Sequence, residues 1–139
     1  MKVFLGGTCN ESTWRDELIP MLTNVDYFNP VVEDWTEECM VKEIEERKTC
    51  DYCLYTITPR MMGVYSIAEV VDDSNKRSEK TIFAVLDSDI GEDGNIITWG
   101  KAEKKSLTQV AKMVERNGGH FFMGNFNVLK DLANWLNNR

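Results

Sequence analysis

Apolar residues fall along this chain in short dense runs, separated by stretches where they recur every three or four positions. Lys2 to Leu5 is a brief run that stops at Gly6-Gly7, a strand giving way to a loop. Trp14, Leu18, Ile19 and Leu22 carry helical spacing, so a helix is expected over Trp14 to Leu22 with Ser12 or Thr13 as N-cap. Tyr27 to Val32 predicts a second strand, with Pro30 at its edge or end. Thr36 opens a helix reaching about Lys48, and Glu37 and Glu38 in its first turn suit the helix dipole. Asp51 to Thr58 is the next strand. A helix follows from Gly63 to Arg77, with Val64, Ile67, Ala68 and Val71 as its buried stripe.

Thr81 to Leu86, TIFAVL, predicts a fully buried strand. A polar loop, DSDIGEDGN, leads to ITWG, and the run KAEKK reads as a solvated face. A helix over Leu107 to Arg116 stops at Asn117-Gly118-Gly119; a strand over His120 to Met123 and a helix over Phe126 to Leu136 complete the series. Strand and helix alternate throughout. The pattern predicts a single domain over residues 1–139, a three-layer α/β/α sandwich on a mainly parallel, flavodoxin/Rossmann-like sheet of about five strands. Such sheets take ligands at the carboxyl ends of their strands, where strand order reverses.

Composition narrows the partners. The chain of 139 residues has a formal net charge of −7, which repels nucleic-acid polymers and anionic membrane surfaces alike. No run approaches the roughly 20 apolar residues of a membrane span, and the opening MKVFLGGTCN breaks too soon for a secretory signal, so a cytoplasmic location is expected. Cys9, Cys39, Cys50 and Cys53 are expected as free thiols, because the Cys50–Cys53 pair straddles a helix end and a strand start instead of opening a helix. A redox role for that pair ranks last among the alternatives. Asp72 and Asp73 read as solvating or capping their helix, and no metal site or cofactor is expected. The loop Gly6-Gly7-Thr8-Cys9-Asn10 lacks the glycine and lysine spacings of a dinucleotide or triphosphate cradle, though its glycines permit close backbone approach to a ligand. Glu33 and Asp34 read as rim charges. His120, the one histidine, has no triad partners.

More specific is the run Asp51-Tyr52-Cys53-Leu54-Tyr55-Thr56-Ile57-Thr58-Pro59, a loop with Gly63, and then Ser66-Ile67-Ala68-Glu69. It resembles the nucleoside 2-deoxyribosyltransferases, in which such a strand and glycine loop lead to a helix bearing the nucleophilic glutamate. Asn95-Ile96-Ile97-Thr98-Trp99-Gly100 is similar to the family's asparagine segment, and GGTCNESTWRDELIP with NPVVEDW looks closest to a compact deoxyribosyltransferase-like branch. The resemblance spans roughly residues 1–100 and implies Glu69 as nucleophile and Glu43 as the acid that protonates the departing base. It also implies a small nucleoside or nucleotide substrate and a homo-oligomer in which Asn95 serves a neighbour's site. Asp51, at the other end of its strand, reads as structural.

Gly6, Gly7, Asn10, Trp14, Trp35, Gly63, Tyr65 and Ser66 are the further candidate contacts. The family's tyrosine on the first strand falls at Phe4, and Tyr65 is a possible substitute for it. The aspartate that holds the sugar 5′-hydroxyl falls at Gly63, which opens the site to a 5′-phosphate received by Ser66 and helix amides. Base exchange is the expected reaction. Hydrolysis with water as acceptor, and a non-catalytic nucleotide-binding module, are the alternatives.

Overall fold

The computed structural model describes residues 1–139. In chain order, β1 (Lys2–Gly7) leads through a short helix α1 (Trp14–Leu18) and a 3-10 turn to β2 (Asp26–Phe28). Helix α2 (Glu37–Thr49), β3 (Tyr52–Ile57), α3 (Tyr65–Lys76) and β4 (Thr81–Leu86) follow. A hairpin of β5 (Ser88–Ile90) and β6 (Ile96–Thr98) then precedes α4 (Lys101–Arg116), β7 (His120–Gly124) and α5 (Val128–Asn137). Five strands pair in the order β2-β1-β3-β4-β7, all parallel.

The strands alternate between two cores, as a pleated sheet covered on both faces requires. Val3, Leu5, Leu54, Ile82, Ala84 and Leu86 point to one face, where Trp14 and Leu18 of α1 and Leu129, Leu132 and Leu136 of α5 cover them. Phe4, Cys53, Tyr55, Ile57, Phe83 and Val85 point to the other, under Val70 of α3 and Leu107, Ala111 and Val114 of α4. Strand order reverses between β1 and β3, so a crevice opens at their carboxyl ends.

Several elements differ from the sequence reading. The first helix is short because Pro20 tightens its second half into the 3-10 turn Ile19–Met21. The second strand keeps only Asp26–Phe28, since Pro30 offers no N–H to extend the ladder. Helix α3 buries Val70, Asp73 and Ser74, with Ile67 and Val71 packed beside them, while Val64 and Ala68 face water. Asp73 therefore does not solvate its helix: it is 0% exposed and held by cations. The polar loop after β4 is an antiparallel hairpin. KAEKK forms the first turns of α4, where Glu103 returns to accept from the Gly100 N–H at 3.2 Å.

The crevice loops are tied together by one buried carboxylate. Asp89 accepts from the Ser12 hydroxyl of the β1–α1 loop and from the Thr58 hydroxyl after β3, each at 2.6 Å. Its own hairpin is joined to the β3–α3 loop by Arg60, which donates to the Ile90 carbonyl at 2.9 Å.

Candidate functional site

At the reversal point the end of β1, the N-terminal half of α3 and one face of α2 enclose a cavity of about 480 Å³. That is the size range of small-molecule sites. Gly7, Thr8, Cys9 and Asn10 form one wall, Met40, Glu43, Ile44 and Arg47 another, and Gly63, Tyr65, Ser66 and Glu69 a third. Trp35 and Met61 complete the lining.

Local sequence explains these placements. The Thr36 hydroxyl accepts from the Cys39 N–H and starts α2, so Met40, Glu43, Ile44 and Arg47 lie on one face at i, i+3, i+4, i+7 spacing. Ser66, Glu69 and Asp73 share one side of α3 by the same rule. Gly7 adopts φ +119°, and a Cβ there would lie 2.1 Å from the Thr56 carbonyl oxygen. The close approach that this glycine permits is thus to the backbone of β3, while its neighbours line the cavity. Gly6 makes room for the Tyr55 ring, 2.7 Å from where its Cβ would stand, and does not line the cavity.

The two candidate carboxylates share the cavity. Glu69 is 13% exposed at its side chain. Burial is the main force raising its pKa, to about 7, and the charges of Glu43, Asp73 and Asp72 add to it; Arg47 opposes them. Glu43 accepts from the Trp35 indole N–H at 3.3 Å, so the tryptophan is tied to an acid at the mouth. Asn10 donates to the Arg60 carbonyl at 3.1 Å and has φ +47°, which fixes it between the β1 and β3 loops. Gly63 has nothing within 4 Å of where a Cβ would be. Tyr65 lines the cavity with most of its surface exposed.

The remaining candidates fall at or beyond the edge of the cavity, and Trp14 is a correction. Trp14 is fully buried and donates to the Thr8 carbonyl at 2.8 Å, so it belongs to the core and reaches the cavity only through that loop. Asn95 stands in the exposed β5–β6 turn, where its amide donates to Asp93 at 3.0 Å, away from the cavity of its own chain. Phe4 stacks on Phe28, packs at a tilt against Tyr55 and brings no hydroxyl. The buried Tyr55 hydroxyl, one strand over, donates to Asp73 and not to Glu69. Asp51 is structural as expected, accepting from the Lys2 N–H at 2.8 Å. Burial pushes the Cys50 and Cys53 thiols up to about 12, which removes the thiolate that a redox pair requires.

One participant escapes a sequence reading. Arg47 lies among Glu43, Glu45 and Glu46 and looks like part of a solvated face, yet its side chain is 8% exposed and borders the cavity. Its spacing from Met40, Glu43 and Ile44 is the one available signal, hidden because α2 carries more charge than apolar surface.

No helix is long and apolar enough to cross a membrane, and no group of three or more His, Cys, Asp or Glu side chains is placed to hold a metal ion. No curated protein and no solved structure matches the chain. The model of a family described as nucleoside 2-deoxyribosyltransferase like matches residues 1–88, which takes in β1 through β4 and therefore every wall of the cavity. The chain belongs to the nucleoside 2-deoxyribosyltransferase-like family.

Proposed function

We propose that the protein transfers the glycosyl group of 2′-deoxynucleosides, or of their 5′-monophosphates, between bases through a covalent glycosyl-Glu69 intermediate. The observation that carries this reading is the pairing of two carboxylates on one cavity: Glu69, largely withdrawn from water, and Glu43 on the opposing helix. Breaking an N-glycosidic bond places positive charge on the sugar, and a carboxylate at C1′ stabilises that charge and then bonds to it. The electron pair of the broken bond leaves with the base nitrogen, which takes a proton from Glu43. A second base then attacks C1′ through its ring nitrogen, gives a proton back to Glu43 and releases Glu69 as carboxylate. Water in place of the second base gives hydrolysis by the same steps.

Asn10, Trp35, Tyr65 and Ser66 are the side chains offered to base and sugar, with the backbone of Gly7 on the wall and open space at Gly63. The open surroundings of Gly63 favour a substrate bearing a 5′-phosphate, which the Ser66 hydroxyl and the first amides of α3 would receive. Asn95 is proposed to complete the site of a neighbouring copy. A second reading, a nucleotide-binding module without catalysis, is favoured by Phe4, which leaves Glu69 without a hydroxyl partner from β1.

The test is chromatography of bases released from a panel of 2′-deoxynucleosides and 5′-monophosphates, with and without an acceptor base. Release or exchange by wild type and none by Glu69→Ala supports the transferase reading. Tight nucleotide binding without product, unchanged in Glu69→Gln, supports the binding module instead.

A further inference from the structure

Arg47 reaches from α2 to α3 and meets three carboxylates there. Its Nε donates to Asp73 Oδ2 at 3.3 Å and its Nη2 to Asp73 Oδ1 at 2.9 Å, a side-on fork. Nη2 also donates to Asp72 Oδ2 at 3.0 Å. These contacts occupy one edge of the guanidinium and leave Nη1 facing Glu69 Oε2 at 3.7 Å. That separation makes an ion pair without a close hydrogen bond. Asp73 is itself fixed by the Tyr55 hydroxyl and by Arg77, whose Nε donates to Oδ1 at 2.9 Å. The guanidinium therefore has little freedom, and its free corner is aimed at the carboxylate on the cavity.

We propose that Arg47 is a positioning residue of this site, anchored by Asp73 so that Nη1 holds Glu69 in place and in its ionised form. The inference rests on the glycosyl-transfer reading for its functional meaning, though not for its electrostatics. Glu69 is faced by Glu43 and Arg47 from α2 and by Asp72 and Asp73 from its own helix. Tyr55 of β3 acts behind Asp73, and Cys9 and Tyr65 are the other titratable groups on the cavity wall. Among the charges, Arg47 alone favours the carboxylate; burial and the three acids favour the acid form. Phe4 offers no hydroxyl to share the task. A guanidinium suits this better than an ammonium, because only a planar fork satisfies Asp73 with two nitrogens and keeps a third for Glu69.

The experiment follows the Glu69 carboxyl carbon by NMR across pH in the protein without substrate, its signal assigned by loss in Glu69→Gln. The expected result is a midpoint near pH 7 in wild type. It should lie at least one pH unit higher in Arg47→Met and less than half as far displaced in Arg47→Lys, which keeps the charge. With a turned-over substrate, the acid limb of the pH–kcat/KM profile moves by the same amount. In Arg47→Met kcat/KM then falls at least about fivefold at pH 7 while KM changes little, so the loss lies in kcat. An unaltered midpoint in a folded Arg47→Met variant overturns the proposal and leaves Arg47 as a counterion of Asp72 and Asp73 only. Should that variant not fold, Arg47→Met/Asp73→Asn removes both buried charges, and Asp73→Asn is its reference for the same displacement. Because the titration needs no substrate, failure of every nucleoside and nucleotide in the panel refutes the transferase reading and still leaves Arg47 decided.

Discussion

In the proposed reaction Glu69 meets a compromise between two requirements. A nucleophile needs to be ionised, whereas a site that excludes water disfavours the charge. With a pKa of about 7 the carboxylate form grows as pH rises through neutrality, so kcat/KM should climb through about pH 7, and an acid limb near 4.5 would contradict it. The same placement has a stability consequence. A carboxyl whose pKa is raised on folding binds more protons in the folded than in the unfolded chain between about 4.5 and about 7. Its effect on stability is therefore most favourable below 4.5 and is lost as pH rises through 7. Glu69→Gln removes this penalty. Urea unfolding should find the variant more stable than wild type by up to about 3 kcal/mol at pH 8 and nearly equal to it at pH 4. Gly63 is the second residue where chemistry is written locally. The space around it accepts a side chain, so Gly63→Asp should fold like wild type and place a carboxylate where a 5′-phosphate would sit. The expected result is a fall of tenfold or more in kcat/KM for monophosphates relative to nucleosides. An unchanged ratio would separate Gly63 from substrate choice.

Elements were legible in the sequence where burial is complete and obscured where polar groups do the packing. TIFAVL announces β4 because both faces of a parallel strand are covered. The phase of α3 could not be read in the same way. Its core side includes Asp73, which periodicity assigns to water and only the cations of α2 and the helix end make tolerable. The β5–β6 hairpin was hidden for a different reason: its strands are three residues long in a stretch of Asp, Gly and Ser, and it is anchored by Asp89 instead of an apolar face. Glu69 and Glu43 could be placed on one cavity from sequence because resemblance marks positions one by one. Arg47 could not, since its partners are supplied by a helix about 25 residues away. Asp89 gives this scale its prediction. Asp89→Ala leaves the Ser12 and Thr58 hydroxyls without their acceptor and removes one tie between the β1 and β3 loops, leaving those from Asn10 to Arg60 and from Thr58 to Thr8. It should destabilise the fold by about 2–4 kcal/mol in urea unfolding. It should also raise KM, because the loop bearing Thr8 to Asn10 forms a cavity wall. A KM equal to that of wild type would show that this wall holds its shape without the tie.

At the scale of the whole molecule, the segments that wall the cavity also carry apolar side chains that one chain leaves in water. Trp35 is 57% exposed, Val41 63%, Val64 67% and Tyr65 72%, in a protein whose two cores are otherwise closed. The hairpin that carries Asn95 projects from the same rim of the sheet and contributes nothing to its own cavity. Both features fit an assembly in which copies of the chain cover each other's rims. Asn95 would then act across the interface. Complementation gives this a sharp form. Glu69→Gln keeps Asn95, and Asn95→Ala keeps Glu69; each alone should lack activity. A mixture refolded together forms some pairs in which one chain's Glu69 meets the other's Asn95. For a two-fold dimer, random pairing at equal amounts restores about a quarter of wild-type activity, since half of the dimers are mixed and each mixed dimer has one intact site. A mixture as inactive as its components, together with sedimentation as a 16.0 kDa monomer at the assay concentration, would confine the site to a single chain. Base contacts would then have to come from Asn10, Trp35 and Tyr65 alone.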